Sequence, residues 1–227
     1  MRKLKIIITT VCLILLVGFT NVSAFDSKKV TLPTVRDLII SGEITDLSQT
    51  NISPLSLDDE IAYTVYIYSS SNGTASSTNT SGHSWIVIRS LYSVSKVIGN
   101  YTIPANETMS VGTWGNLGYN GIWYNHERKI RSNFNFANVY YSHAYVLLGN
   151  ANALSNKVNT LNIWTITKNC TFFARELWNS IYGTQKVSGI TPSQISNSIK
   201  QIPNYRSGDS NFNFTYTPFS YKYSDFQ

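Results

Sequence analysis

The sequence predicts an α+β fold in which an antiparallel meander packs against helices. Three observations carry that expectation. Residues 82–114 hold β-branched and aromatic runs separated by short turns, as strands joined in succession do. Residues 152–200 switch to apolar spacings of three and four, as helices covering one face of a sheet do. Strands and helices are grouped rather than alternating, and no segment repeats, which favours α+β over a parallel α/β sheet.

The N-terminus reads as a leader. Arg2, Lys3 and Lys5 precede an apolar run from Ile6 to Phe19, and Val22-Ser23-Ala24 supplies small residues for cleavage. Residues 1–24 are thus a secretory signal peptide with Phe25 as the first mature residue. The run is too short for a spanning helix, so no stable membrane insertion is expected after cleavage. The mature protein is expected to be secreted, extracellular or cell-wall associated. Its formal net charge of +6 loses three positive residues with the leader, leaving +3, so nucleic acid is not an expected partner. Of the two cysteines, Cys12 leaves with the leader and Cys170 stays without an intramolecular partner. A lone thiol in an oxidising compartment is unusual. It is an inert core residue, one half of an intermolecular bridge, or a nucleophile.

Residues 25–227 are expected to form one domain, with a helical lead-in over 25–68, a flexible loop over 69–81 and an aromatic tail over 204–227. Val35 to Ile40 predict a short helix closed near Ser41-Gly42. Ser56-Leu57-Asp58-Asp59 resembles a capping box, and Leu57, Ile61, Ala62 and Val65 follow at helical spacing, so a second helix is preferred there. Tyr63, Val65 and Ile67 also alternate, which leaves a strand as the other reading. Ser69 to Ser81 is polar and of low complexity, hence a surface loop.

Strands are then expected over 84–90, 94–103 and 109–114, with turns at Tyr92-Ser93 and at Pro104-Ala105-Asn106-Glu107. An aromatic, glycine-punctuated segment runs from Gly112 to Glu127, and strand character returns over 139–148. Helices are expected over 152–161, from Cys170 to Ile181, and over 192–199, the last opened by the capping box Thr191-Pro192-Ser193-Gln194. The tail alternates at Phe212, Phe214 and Tyr216, consistent with a strand.

In the central helix Cys170, Phe173, Ala174, Leu177, Trp178 and Ile181 share one face, and Asn169 suits the N-cap. Cys170 therefore sits in the first turn, where unpaired N–H groups and the helix dipole favour a thiolate. A cysteine nucleophile needs an imidazole in reach and a polar group to orient it. The chain offers His83, His126 and His143. His83 opens a strand beside a glycine and a loop, a position that can face a cleft. His126 and His143 lie among aromatic residues and read as surface or supporting groups. No close cluster of His, Cys, Asp and Glu has metal-ligand spacing, and no glycine loop has a strand-to-helix setting for phosphate, so neither a metal nor a cofactor is expected.

Gly82-His83-Ser84-Trp85 on a strand, followed later by Asn169-Cys170 opening an amphipathic helix, resembles the circularly permuted NlpC-type branch of the papain-like cysteine peptidases and amidases, which includes relatives of lecithin retinol acyltransferase. The glycine- and tryptophan-rich stretches Gly112 to Asn116 and Gly121 to Asn125 also look like secreted bacterial proteins of this type. The resemblance spans roughly residues 56–200 and rests on short motifs. It implies a permuted papain-like fold, Cys170 as nucleophile, His83 as its base, and an oxyanion-binding N–H at the start of the Cys170 helix. It also implies a third residue on the strand paired with the histidine strand. A hairpin about Tyr92-Ser93 brings Asn100 near Trp85 on the face of His83, with Thr102 opposite His83; Asn100 is the preferred third residue, with Asn125 and Glu127 in reserve. The implied activity is acyl transfer from an amide or ester, and the expected partner is a peptide or a peptidoglycan stem peptide. The contrasting expectation is a non-catalytic module that binds glycan or protein through the aromatic segment 112–126.

Overall fold

A computed structural model describes residues 30–45, 56–75, 82–115, 118–127, 134–183, 185–208 and 221–226. The expected leader over 1–24, residues 76–81 of the expected loop and the alternating Phe212, Phe214 and Tyr216 lie outside the described residues. In chain order the elements are α1 (Val35–Ile40), β1 (Ile61–Ala75), β2 (His83–Ser90), β3 (Lys96–Ile98), β4 (Tyr101–Ile103), β5 (Thr108–Trp114), β6 (Gly121–Tyr124), β7 (Phe134–Leu147), α2 (Ala151–Thr160), α3 (Cys170–Ile181), α4 (Pro192–Ile199), β8 (Arg206–Ser207) and β9 (Tyr221–Lys222). The fold is α+β: a seven-stranded sheet of order β8-β7-β1-β2-β5-β6-β9 with antiparallel pairings, a separate β3-β4 hairpin, and a few helices. No helix among the described residues is long and apolar enough to cross a membrane.

The sheet register sorts its side chains onto two faces. Val65 pairs with Ile88, Ile67 with Ile86, Ile88 with Met109 and Ile86 with Val111, so these six residues share one face. That face joins Phe173, Ala174, Leu177 and Trp178 of α3 and Ile195 and Ile199 of α4 in the core. Phe173 and Leu177 are fully buried, which stabilises the packing by about 1.5–3 kcal/mol each. The α4 contact is also polar: the Ser69 hydroxyl donates to the Pro192 carbonyl at 2.8 Å, and the Ser196 hydroxyl donates to the Ser69 carbonyl at 3.3 Å. The opposite face carries Tyr68, Trp85, Val87 and Tyr141, all buried, with Tyr68 stacked between Trp85 and Tyr141.

The predicted helix from Leu57 onward is a strand. β1 lies between β2 and β7 and is buried on both faces, so its residues form a nearly continuous apolar run that satisfies helical spacing by default. The β-branched and aromatic content of Tyr63 to Tyr68 is what favours the strand. The apparent capping box closes a turn instead: the Asp59 carboxylate accepts from the Ser56 N–H at 3.0 Å, and the Asp59 N–H donates to the Ser56 carbonyl at 3.1 Å. β1 also continues to Ala75, through the first half of the expected loop.

The expected strand over 94–103 is broken in two. Gly99, at φ +62°, and Asn100 make the turn of the β3-β4 hairpin, a Gly-Asn pair of the kind that suits tight hairpins. The hairpin docks away from β2, with the Gly99 N–H donating to the Ser155 hydroxyl at 3.0 Å and the Asn100 N–H to the Tyr124 hydroxyl at 3.1 Å. The strand beside β2 is therefore β5, not 94–103.

Candidate active site

Two glycines and two asparagines assemble the site. Gly82 has φ +74°, and a Cβ there would collide with the Ser70 carbonyl and press on Pro192, so only glycine lets the chain enter β2 at this point. His83 follows at once, 3% exposed, between the rings of Trp85 (centroids 5.5 Å apart, stacked) and Trp114 (4.0 Å). Gly112 of β5 lies directly beneath: a Cβ there would collide with Glu127 Oε1 and crowd His83 Nε2.

Asn125 turns the chain after β6. It adopts φ +58°, a left-handed conformation that asparagine tolerates better than most residues. Its side chain holds the turn by accepting from the Ser110 N–H at 3.0 Å and donating to the Tyr101 hydroxyl at 3.2 Å. The turn brings Glu127 back over β5. Fully buried there, its carboxylate accepts from His83 Nε2 at 3.0 Å, from Trp114 Nε1 at 3.0 Å and from the Ser110 hydroxyl at 2.6 Å.

Asn169 caps α3 as predicted: its Oδ1 accepts from the N–H groups of Thr171 at 3.0 Å and Phe172 at 3.2 Å. A cap of this kind stabilises the helix by about 1 kcal/mol. It leaves the Cys170 N–H uncommitted by the cap. The Cys170 thiol lies within the electrostatic reach of the His83 ring and of the Ser84 N–H, and both act on its protonation. Because Glu127 holds Nε2, Nδ1 is the ring nitrogen left for the sulfur.

The electrostatics follow from these contacts. Burial pushes the Cys170 thiol up, but the His83 charge, the His83 hydrogen bond and the Ser84 N–H outweigh it and hold the thiol below its ordinary value. Burial pushes the His83 imidazole down, yet the charge and hydrogen bonds of Cys170 and Glu127 raise it well above its ordinary value. Glu127 is likewise held low against burial, by His83 first and by Ser110. Each group favours the charged form of its neighbour: His83 draws Cys170 towards a thiolate and Glu127 towards a carboxylate, and both draw His83 towards an imidazolium.

Searches with the chain against protein-family models, curated proteins and solved structures find no match.

The sequence-predicted residues fare differently. Cys170 and His83 are brought together. Asn100 is not: it sits at the β3-β4 turn, where its side-chain amide donates to the Tyr223 carbonyl at 3.4 Å. Thr102 is exposed on the same hairpin and pairs with Val97, not with β2. Of the reserves, Glu127 bonds the imidazole and Asn125 shapes the turn that delivers it. One signal in the sequence singles Glu127 out, since it is the only acidic residue between Glu107 and Glu176. His126 is buried against Trp114 and Trp123 rather than on the surface. Among the described residues no group of His, Cys, Asp and Glu could hold a metal ion.

Proposed function

We propose that this chain is a secreted cysteine hydrolase of the permuted papain-like kind, with Cys170 as nucleophile, His83 as general base and acid, and Glu127 as the residue that orients and charges His83. The observation that carries this reading is the relay itself: a thiol in the first turn of α3 beside an imidazole whose Nε2 is held by a buried carboxylate that accepts two further hydrogen bonds. The order of a histidine strand before an Asn-Cys helix supports the permuted assignment.

The chemistry is acyl transfer. The Cys170 thiolate attacks the carbonyl carbon of an amide or ester, and the carbonyl π electrons move to oxygen, which the Cys170 N–H can receive. As the tetrahedral adduct collapses, the C–N or C–O bond breaks and the His83 imidazolium gives its proton to the leaving group. Water then attacks the thioester while His83 takes its proton, and the thiolate departs with a free carboxylic acid released. Glu127 keeps its negative charge throughout, and Trp114 covers the His83–Glu127 contact and limits its exposure to water.

The aromatic segment supports the enzyme reading over a binding module. Its indole N–H groups are spent internally, Trp114 on Glu127 and Trp123 on the Tyr119 carbonyl at 3.2 Å. With a leader directing export, peptide bonds of peptidoglycan stem peptides are the first substrates to test. Purified protein should release fragments from stem peptides or hydrolyse a simple peptide amide or ester, and Cys170→Ala and His83→Ala should be inactive with unchanged circular dichroism. Full activity in Cys170→Ala, or no hydrolysis of any of these by folded wild type, sinks the proposal.

A further inference from the structure

Gly115 and Gly121 of the glycine-punctuated segment play no part in the hydrolysis described above, yet their neighbours require both. A Cβ on Gly115 would fall inside the Trp164 ring, and a Cβ on Gly121 would collide with Asn162 Oδ1 and the Tyr119 ring. Both glycines therefore make room for the same stretch, the irregular connection between α2 and α3 that leads into Cys170.

That connection is tied down along its length. At its start the Asn162 side chain accepts from the Ile122 N–H of β6 at 3.0 Å and donates to the Tyr119 hydroxyl at 2.8 Å. Trp164 lies half-buried against Gly115. A turn follows at once: the Thr165 N–H donates to the Lys168 carbonyl at 3.0 Å, and the Lys168 N–H donates to the Thr165 hydroxyl at 2.9 Å. Asn169 caps α3 from there, and its Nδ2 donates to the Ile166 carbonyl at 3.3 Å. Trp114 and Gly115 are consecutive. Trp114 bonds Glu127 and packs on His83 with ring centroids 4.0 Å apart, while Gly115 seats Trp164, six residues before Cys170. One point of the chain thus touches both the histidine half of the site and the segment that delivers the cysteine.

We propose that Trp164 is a positioning residue, which fixes the spacing of Cys170 and His83 by seating the connection before α3 on Gly115. The proposal rests on the hydrolase reading above. Its leverage is electrostatic. Drawing a thiolate–imidazolium pair apart from about 4 to about 5 Å, at an effective dielectric of about 20, lowers the charged pair relative to the neutral one about fourfold.

The test is the rate of iodoacetamide labelling of Cys170 in the full chain, near neutral pH and above the ordinary thiol range of about 8.5. The proteins compared are wild type, Trp164→Ala, Trp164→Phe, Gly115→Ala and the double variant Gly115→Ala/Trp164→Ala, each shown by circular dichroism to be folded. Trp164→Ala should label about fourfold or more slowly than wild type near neutral pH and converge on it at the higher pH. A ring that merely controlled access to the sulfur would change both rates alike. Trp164→Phe keeps a flat ring over Gly115 and should label close to wild type. Gly115→Ala drives its methyl group into the Trp164 ring and should slow labelling as Trp164→Ala does. The double variant should be no slower than either single one, because both act through one contact. Labelling at the wild-type rate near neutral pH by folded Trp164→Ala, or by folded Gly115→Ala, overturns the proposal, and so do single effects that multiply in the double variant. Slow labelling of wild type itself would instead remove the nucleophile reading, and this inference with it.

Discussion

Replacing Glu127 by glutamine removes one charge and leaves the shape. In Glu127→Gln the amide oxygen can still accept from His83 Nε2 and Trp114 Nε1, and the amide nitrogen faces Ser110, whose hydroxyl can turn to accept. What is lost is the difference between a charge-assisted hydrogen bond to the imidazolium and a neutral one, about 1–1.5 kcal/mol. At 1.36 kcal/mol per pKa unit, the His83 imidazolium becomes easier to deprotonate by about one unit. The ratio of thiolate–imidazolium to thiol–imidazole then falls about tenfold. Iodoacetamide labelling of native protein across pH reads this ratio directly. Wild type should show a plateau of fast labelling near neutral pH, and Glu127→Gln should lower that plateau by up to about tenfold while converging on wild type above the ordinary thiol range of about 8.5, where thiolate forms unaided. An unchanged plateau in folded Glu127→Gln would refute the role given to Glu127.

Three further outcomes follow from the same contacts. Gly112→Ala puts a methyl group into Glu127 Oε1, so it should unseat the carboxylate, abolish hydrolysis and lower stability by about 1–3 kcal/mol, measured by urea denaturation. Asn100→Ala should leave the labelling profile as in wild type, because Asn100 bonds the Tyr223 carbonyl and Tyr124 hydroxyl rather than His83; a loss like that of Glu127→Gln would restore Asn100 to the site. Acid stability should also report Glu127. Its carboxyl is held below the ordinary value of 4.5, so the unfolded chain takes up this proton first as pH falls; the stabilisation is present above that value and lost as pH drops through the folded one. The melting temperature of wild type should accordingly fall more steeply below pH 4.5 than that of Glu127→Gln, and parallel curves would contradict the shift.

What the sequence shows well here is local. The Asn169 cap, the apolar face of α3, the Thr191–Gln194 capping box and the strand opened by Gly82-His83 all depend on residues within a few positions of one another, and all are where the pattern puts them. β1 misleads because a strand buried on both faces loses the alternation that identifies strands, while its apolar run still fits helical spacing. The third site residue misleads for a different reason. Asn100 follows from assuming that consecutive strands pair, whereas Gly99-Asn100 folds its segment onto itself and hands the place beside β2 to β5. Glu127 then arrives from the turn after the next strand again, through the left-handed Asn125, and no local pattern encodes that route. Its one mark in the sequence is that it is the only acidic residue between Glu107 and Glu176.

The central claim is that Cys170 forms a covalent acyl intermediate with the help of His83. Brief incubation of folded wild type with an activated ester, followed by acid quench and peptide mass analysis, should find an acyl group on the peptide that contains Cys170. His83→Ala should slow its appearance, and Cys170→Ala should show no modification of that peptide. A wild-type protein that stays unacylated at Cys170 while folded, or that acylates equally fast without His83, would contradict the account.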